Sequence, residues 1–92
     1  MKTKEDYKRE VGILKALANE ARLMIVDSLN EKEYSVGELT EMLKLDQSTV
    51  SKHLSVLHNA GIVDYKKSGN LVHYRLLTPC VLDIFKCVCK VK

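Results

Sequence analysis

This sequence predicts a mainly α fold of the α+β type, and three observations carry the prediction. Apolar residues recur at helical spacing through most of the chain. Residues that start helices, Asn19, Ser35 and Asp46, stand just ahead of those periodic stretches. Near the C-terminal third, two β-prone runs flank the turn-forming stretch KSGN, which is the pattern of a hairpin.

The elements follow in order. Residues 4–17 form a first helix on the spacing of Val11, Leu14, Leu17 and Ala18. Asn19 caps a second, EARLMIVDSL, with Ala21, Ile25 and Leu29 on one face and Val26 beside them. NEKEY breaks the pattern. SVGE is a capping box, in which Ser35 and Glu38 satisfy each other's backbone N–H groups. It opens a short third helix whose inner face is Val36, Leu39 and Leu43. Lys44 and Leu45 make a tight connection to a fourth helix, capped by Asp46, with Val50, Leu54 and Leu57 as its core stripe and Gly61 at its C-cap. Two short helices so joined are a helix-turn-helix. Residues 62–66 and 71–76 pair as a two-stranded hairpin, and Pro79 starts a last helix, PCVLDIFKCVCKVK. The expected architecture is a winged helix-turn-helix of about five helices with one two-stranded β-hairpin wing, a single domain over residues 1–92.

Composition agrees. The chain has 92 residues, 46% of them hydrophobic, enough for one packed core. A chain this short buries a modest share of its surface, so a partner subunit would help it. Its 15 basic and 12 acidic residues leave a net charge of +3, which permits a polyanionic partner. No apolar run is long enough to span a membrane, and MKTKEDYKRE does not read as a signal peptide. The expected location is the cytoplasm, where the three cysteines are thiols, metal ligands or redox groups rather than a disulfide framework. No phosphate-cradling glycine loop, HExxH motif or nucleophile–base set is present, so an enzyme is not expected.

The fourth helix carries the functional signal. Opposite its core stripe lie short hydrogen-bonding side chains, Ser48, Thr49, Ser51 and Ser55, with Lys52 among them and Gln47 in the first turn. A helix that enters the major groove needs donors and acceptors short enough to fit between phosphate walls. Gln can pair with adenine, and Ser or Thr can serve several bases. No acidic residue occurs between Gln47 and Asn59 to repel a duplex. A face of this kind on a solvated surface helix is the competing reading. The hairpin favours DNA: Lys66, Lys67 and Asn70 at its tip suit phosphates or the minor groove. From Asp46 to Arg75 there are four basic residues (Lys52, Lys66, Lys67, Arg75) and two acidic ones (Asp46, Asp64). His53 flanks the core stripe, about 60° away by helical geometry, as either a phosphate contact or a packing residue; His58 is open in the same way.

LKALANEARLMIVDSL, followed by ELTEMLKLDQSTVSKHLSVLHNAGIVDYKKSGNLVHYRL, strongly resembles the ArsR family of metal- and metalloid-responsive repressors. The resemblance implies a homodimer built through the first and last helices. It implies binding to a palindromic double-stranded DNA operator, with each fourth helix in a major groove, and release on effector binding. Gln47, Ser48, Thr49, Ser51, Lys52 and His53 match the family's DNA-reading segment. The effector sites depart from the family pattern. Arsenic and lead sensors carry Cys-x-Cys in the third helix, where this chain has SVGELTEML; zinc and nickel sensors use histidines in the last helix, where it has none. Some members place cysteines in the last helix, so Cys80, Cys87 and Cys89 are candidate ligands for As(III) or another soft ion. Geometry complicates this. Cys80 and Cys87 lie about 10.5 Å apart along a regular helix, and Cys87 and Cys89 point to nearly opposite faces. Packing in a dimer interface and a dithiol redox switch are the competing roles.

Overall fold

The computed structural model describes residues 2–84. Helix α1 spans Lys4–Leu17, the expected bounds. Its start is fixed by a capping box: the Asp6 N–H donates to Thr3 Oγ1 and the Thr3 N–H to an Asp6 carboxylate oxygen. Helix α2, Glu20–Glu31, starts at Asn19, whose side-chain oxygen accepts from the Arg22 N–H at 3.1 Å. Helix α3, Val36–Leu43, starts at the expected Ser35–Glu38 box, with both reciprocal bonds present at 3.2 and 2.9 Å. The connection to α4, Gln47–Asn59, is tight because Lys44 takes a left-handed conformation at φ 55°. Helix α4 ends in a Schellman arrangement: the Ile62 N–H bonds to the Leu57 carbonyl and the Gly61 N–H to that of His58, each at 3.0 Å. Gly61 supplies the φ of 78° this needs.

The sheet differs from the expected hairpin. Strands β2 (Val63–Ser68) and β3 (Leu71–Leu76) pair antiparallel around a two-residue turn, Gly69-Asn70. Of those two, only Gly69 has positive φ, as in a II′ turn. A third strand, β1 (Tyr34–Ser35), lies on the other edge of β3, with Tyr34 opposite Tyr74 and Ser35 opposite His73. The sheet is therefore three-stranded in the order β1-β3-β2. Two residues are too few to show an alternating pattern, and the extended backbone that caps α3 provides the strand incidentally. The last helix begins as a 3-10 turn, Pro79–Leu82, with proline at the first position. Its remainder, with Cys87 and Cys89, lies outside the described residues.

The core gathers Ile25, Val26 and Leu29 of α2, Leu39 of α3, Val50, Leu54 and Leu57 of α4, and Ile62 and Val63 at the entry to the sheet. Helix α1 contributes Ala16 and Leu17, with Ile13 partly buried against them. The stripe expected for α1 is thus corrected: Val11, Leu14 and Ala18 lie outside this core. Val11 and Leu14, together with Tyr7, form a second apolar row that is about half exposed (57, 47 and 55% for Tyr7, Val11 and Leu14).

Candidate nucleic-acid interface

The core stripe of α4 fixes what the helix shows outward. Val50, Leu54 and Leu57 are fully buried, so the positions roughly opposite them turn to solvent. Gln47, Ser48, Ser51, Lys52, Ser55 and Asn59 are exposed, and Thr49 is half-buried. The face is polar, short-chained and free of carboxylates within the helix.

Asp46 departs from the expected capping role. It occupies the N-cap position, and its carbonyl accepts from the Val50 N–H at 3.2 Å. Its carboxylate makes no capping hydrogen bond. Instead Ser48 Oγ donates to one carboxylate oxygen at 2.5 Å and Thr49 Oγ1 to the other at 2.7 Å. The hydroxyl of Ser48, then that of Thr49, stabilises the ionised form and lowers the Asp46 pKa to about 2.

His53 is half-buried, and Arg22 of α2 donates through Nη1 to its Nδ1 at 3.4 Å. This arrangement favours the packing reading over a free phosphate contact. Arg22 was not singled out from the sequence, where it is one more cation in an amphipathic helix. Its Nε is buried without a hydrogen-bond partner among the described residues.

The wing divides into a free tip and a tied base. Lys66, Lys67, Ser68 and Asn70 are exposed, and among the described residues neither lysine is in an ion pair. At the base, Asp64 and Arg75 are opposed in the β2–β3 register, and Arg75 Nη2 lies 3.5 Å from an Asp64 carboxylate oxygen. His58 Nε2 approaches the other oxygen at 3.8 Å. Arg75 is therefore drawn toward Asp64, unlike Lys66 and Lys67, for which no ion pair occurs among the described residues. The rings of His58, Tyr65 and Tyr74 stack in tilted succession at 5.2 and 5.5 Å, joining the end of α4 to the sheet. Burial, then the neighbouring Tyr65, pushes the Tyr74 phenol up.

Of the candidate metal ligands, Cys80 lies exposed on the 3-10 turn; Cys87 and Cys89 fall outside the described residues. Among the described residues, no group of three His, Cys, Asp or Glu side chains could hold a metal ion. No helix in that range is long and apolar enough to cross a membrane.

A short helix pair with a polar outward face, flanked by a basic-tipped β-wing, defines the winged helix-turn-helix class. Residues 19–65 match the model of the bacterial regulatory protein, arsR family. Relatives agree. The transcriptional activator HlyU of Vibrio cholerae is 46% identical over 68 residues, covering 74% of this chain and 63% of its own. A biofilm growth-associated repressor of Agrobacterium fabrum is 48% identical over 68 residues, covering 73% of this chain and 58% of its own. The chain thus spans about three fifths of the length of these curated relatives. A solved structure of Vibrio cholerae HlyU superposes with a TM-score of 0.84 at 35% identity, covering 94% of this chain and 97% of that one. A homodimeric winged helix-turn-helix DNA-binding domain from Mycobacterium bovis gives 0.80 at 29% identity, covering 92% of this chain and 79% of that one. The chain belongs to the ArsR family of transcription regulators.

Proposed function

We propose that the chain is a homodimeric transcriptional repressor that binds a palindromic double-stranded DNA operator. The observation that carries this reading is the outward face of α4, where Gln47, Ser48, Ser51, Lys52 and Ser55 are exposed over a fully buried stripe. Its N-terminal turn reads base edges, Lys52 meets phosphate, and Lys66 and Lys67 on the wing meet flanking phosphates. Dimerisation is supported by the exposed Tyr7, Val11 and Leu14 row on α1, a surface that gains by burial. The homodimeric relative from Mycobacterium bovis supports the same arrangement. A regulator of this kind works in the cytoplasm, with the DNA.

Release follows from chemistry at Cys80, Cys87 and Cys89, with As(III) or another thiophilic ion as effector. The exposure of the Cys80 thiol supports access by a soft ion. The same access serves an oxidant, which makes redox release the second reading.

Fluorescence anisotropy with promoter DNA tests the whole proposal. Affinity falls steeply as salt rises if phosphates are engaged. As(III), Zn(II), Cd(II) and peroxide, titrated in parallel, separate ion release from oxidation. A chain that binds no duplex at low salt but still associates with protein partners is instead a protein-interaction module.

A further inference from the structure

We infer that Asp46 is a specificity-determining residue: by accepting the hydrogen bonds that the Ser48 and Thr49 hydroxyls donate, it leaves both side chains as acceptor-only readers of the major groove. The inference rests on the DNA-binding reading above and deepens it.

A hydroxyl carries one donor and two acceptor lone pairs, and a free one rotates to suit whatever it meets. These two are not free. Ser48 donates to one oxygen of the Asp46 carboxylate and Thr49 to the other. An ionised carboxylate accepts only, so the direction of both bonds is fixed. The same bonds hold the Asp46 pKa at about 2, so the carboxylate stays ionised at any pH where the protein works. The ordinary reason for aspartate at this position, a regular capping bond to a first-turn backbone N–H, is not met here; the Thr49 backbone N–H contributes only behind the two hydroxyls. What Asp46 orders is the pair of side chains beside it.

The consequence is chemical. In the major groove the donors are the amino groups of adenine N6 and cytosine N4; guanine N7 and O6 and thymine O4 are acceptors. An oriented acceptor matches an amino group and is repelled by the others. Gln47 is the contrast within the same turn. It is exposed and its side chain makes no hydrogen bond to the other described residues, so its amide keeps both donor and acceptor. Asp46 also sets a negative charge beside the phosphates. Removing it should raise affinity for any duplex while lowering discrimination between duplexes, two opposite changes that loss of a helix cap would not produce together.

Selection from a randomised double-stranded DNA pool, run on the wild-type chain and on Asp46→Asn, tests this. Asparagine caps helices as well as aspartate, so folding is retained, but it offers one acceptor atom in place of two. The expected result is a loss of about tenfold in base discrimination at one or two adjacent positions per half-site. Preferences at the remaining positions should hold, and affinity for a fixed random-sequence duplex should rise. A second measurement needs no DNA. In a Ser48→Ala, Thr49→Val double variant, the Asp46 carboxyl carbon, followed by NMR, should titrate closer to an ordinary aspartate. Unchanged preferences at every position in Asp46→Asn overturn the inference alone, as does a uniform loss at all positions with the fold intact. A wild-type chain that enriches no sequence overturns the DNA-binding reading, and the inference with it.

Discussion

Helices α1 and α4 each bury one side in the same core and leave the other side open, yet the open sides are chemical opposites. On α1 the open row is Tyr7, Val11 and Leu14. On α4 it is Gln47, Ser48, Ser51, Lys52 and Ser55. An apolar row gains free energy when water leaves it, so it calls for protein. A row of short donors and acceptors with one cation gains little from burial and much from directional bonds to a polyanion. In the proposed reading, the difference between the two exposed faces, more than either face alone, separates a surface for a second subunit from a surface for a duplex.

The comparison can be broken most severely at α1. Leu14→Glu places a charge in the apolar row, at a position 55% exposed in the subunit. The subunit should remain folded while self-association weakens by about 2–4 kcal/mol, or roughly 30- to 1000-fold, in sedimentation equilibrium. An unchanged dimer would assign that row to something else. Next comes α4: Ser51→Ala and Lys52→Ala should each weaken binding to a selected duplex by about 1–2 kcal/mol and leave the dimer intact. At the wing tip, Lys66→Ala with Lys67→Ala should act on all duplexes alike and reduce the slope of log affinity against log salt by about 2. Arg75→Ala should have the smallest effect, below about 0.5 kcal/mol in the same assay, because Arg75 is turned to Asp64. A loss equal to that of the lysines would show that the ion pair opens to meet DNA.

The parts of this account that were legible in the sequence are those governed by local chemistry. Asn19, and Ser35 with Glu38, announce their helices because a capping bond needs only neighbours three residues apart. Val50, Leu54 and Leu57 fix the face of α4 by period alone. What stayed hidden depends on distant partners. Val11, Leu14 and Leu17 read as one stripe, but α1 carries two, and only the fold shows that Leu17 meets its own core while Val11 and Leu14 do not. Strand β1 exists because β3 has a second edge to offer. Arg75 is separated from Lys66 and Lys67 by the register that sets it opposite Asp64. Asp46 is the local exception: its carboxylate meets the hydroxyls of Ser48 and Thr49, a choice among near neighbours that residue spacing does not encode.

The most direct test of the central claim is an NMR titration of the labelled chain with a duplex selected from the random pool. The account predicts that amide shifts concentrate in α4 from Gln47 to Ser55 and at the wing tip from Lys66 to Asn70, with Tyr7, Val11 and Leu14 unmoved. Perturbations centred on α1, with α4 silent, would contradict it.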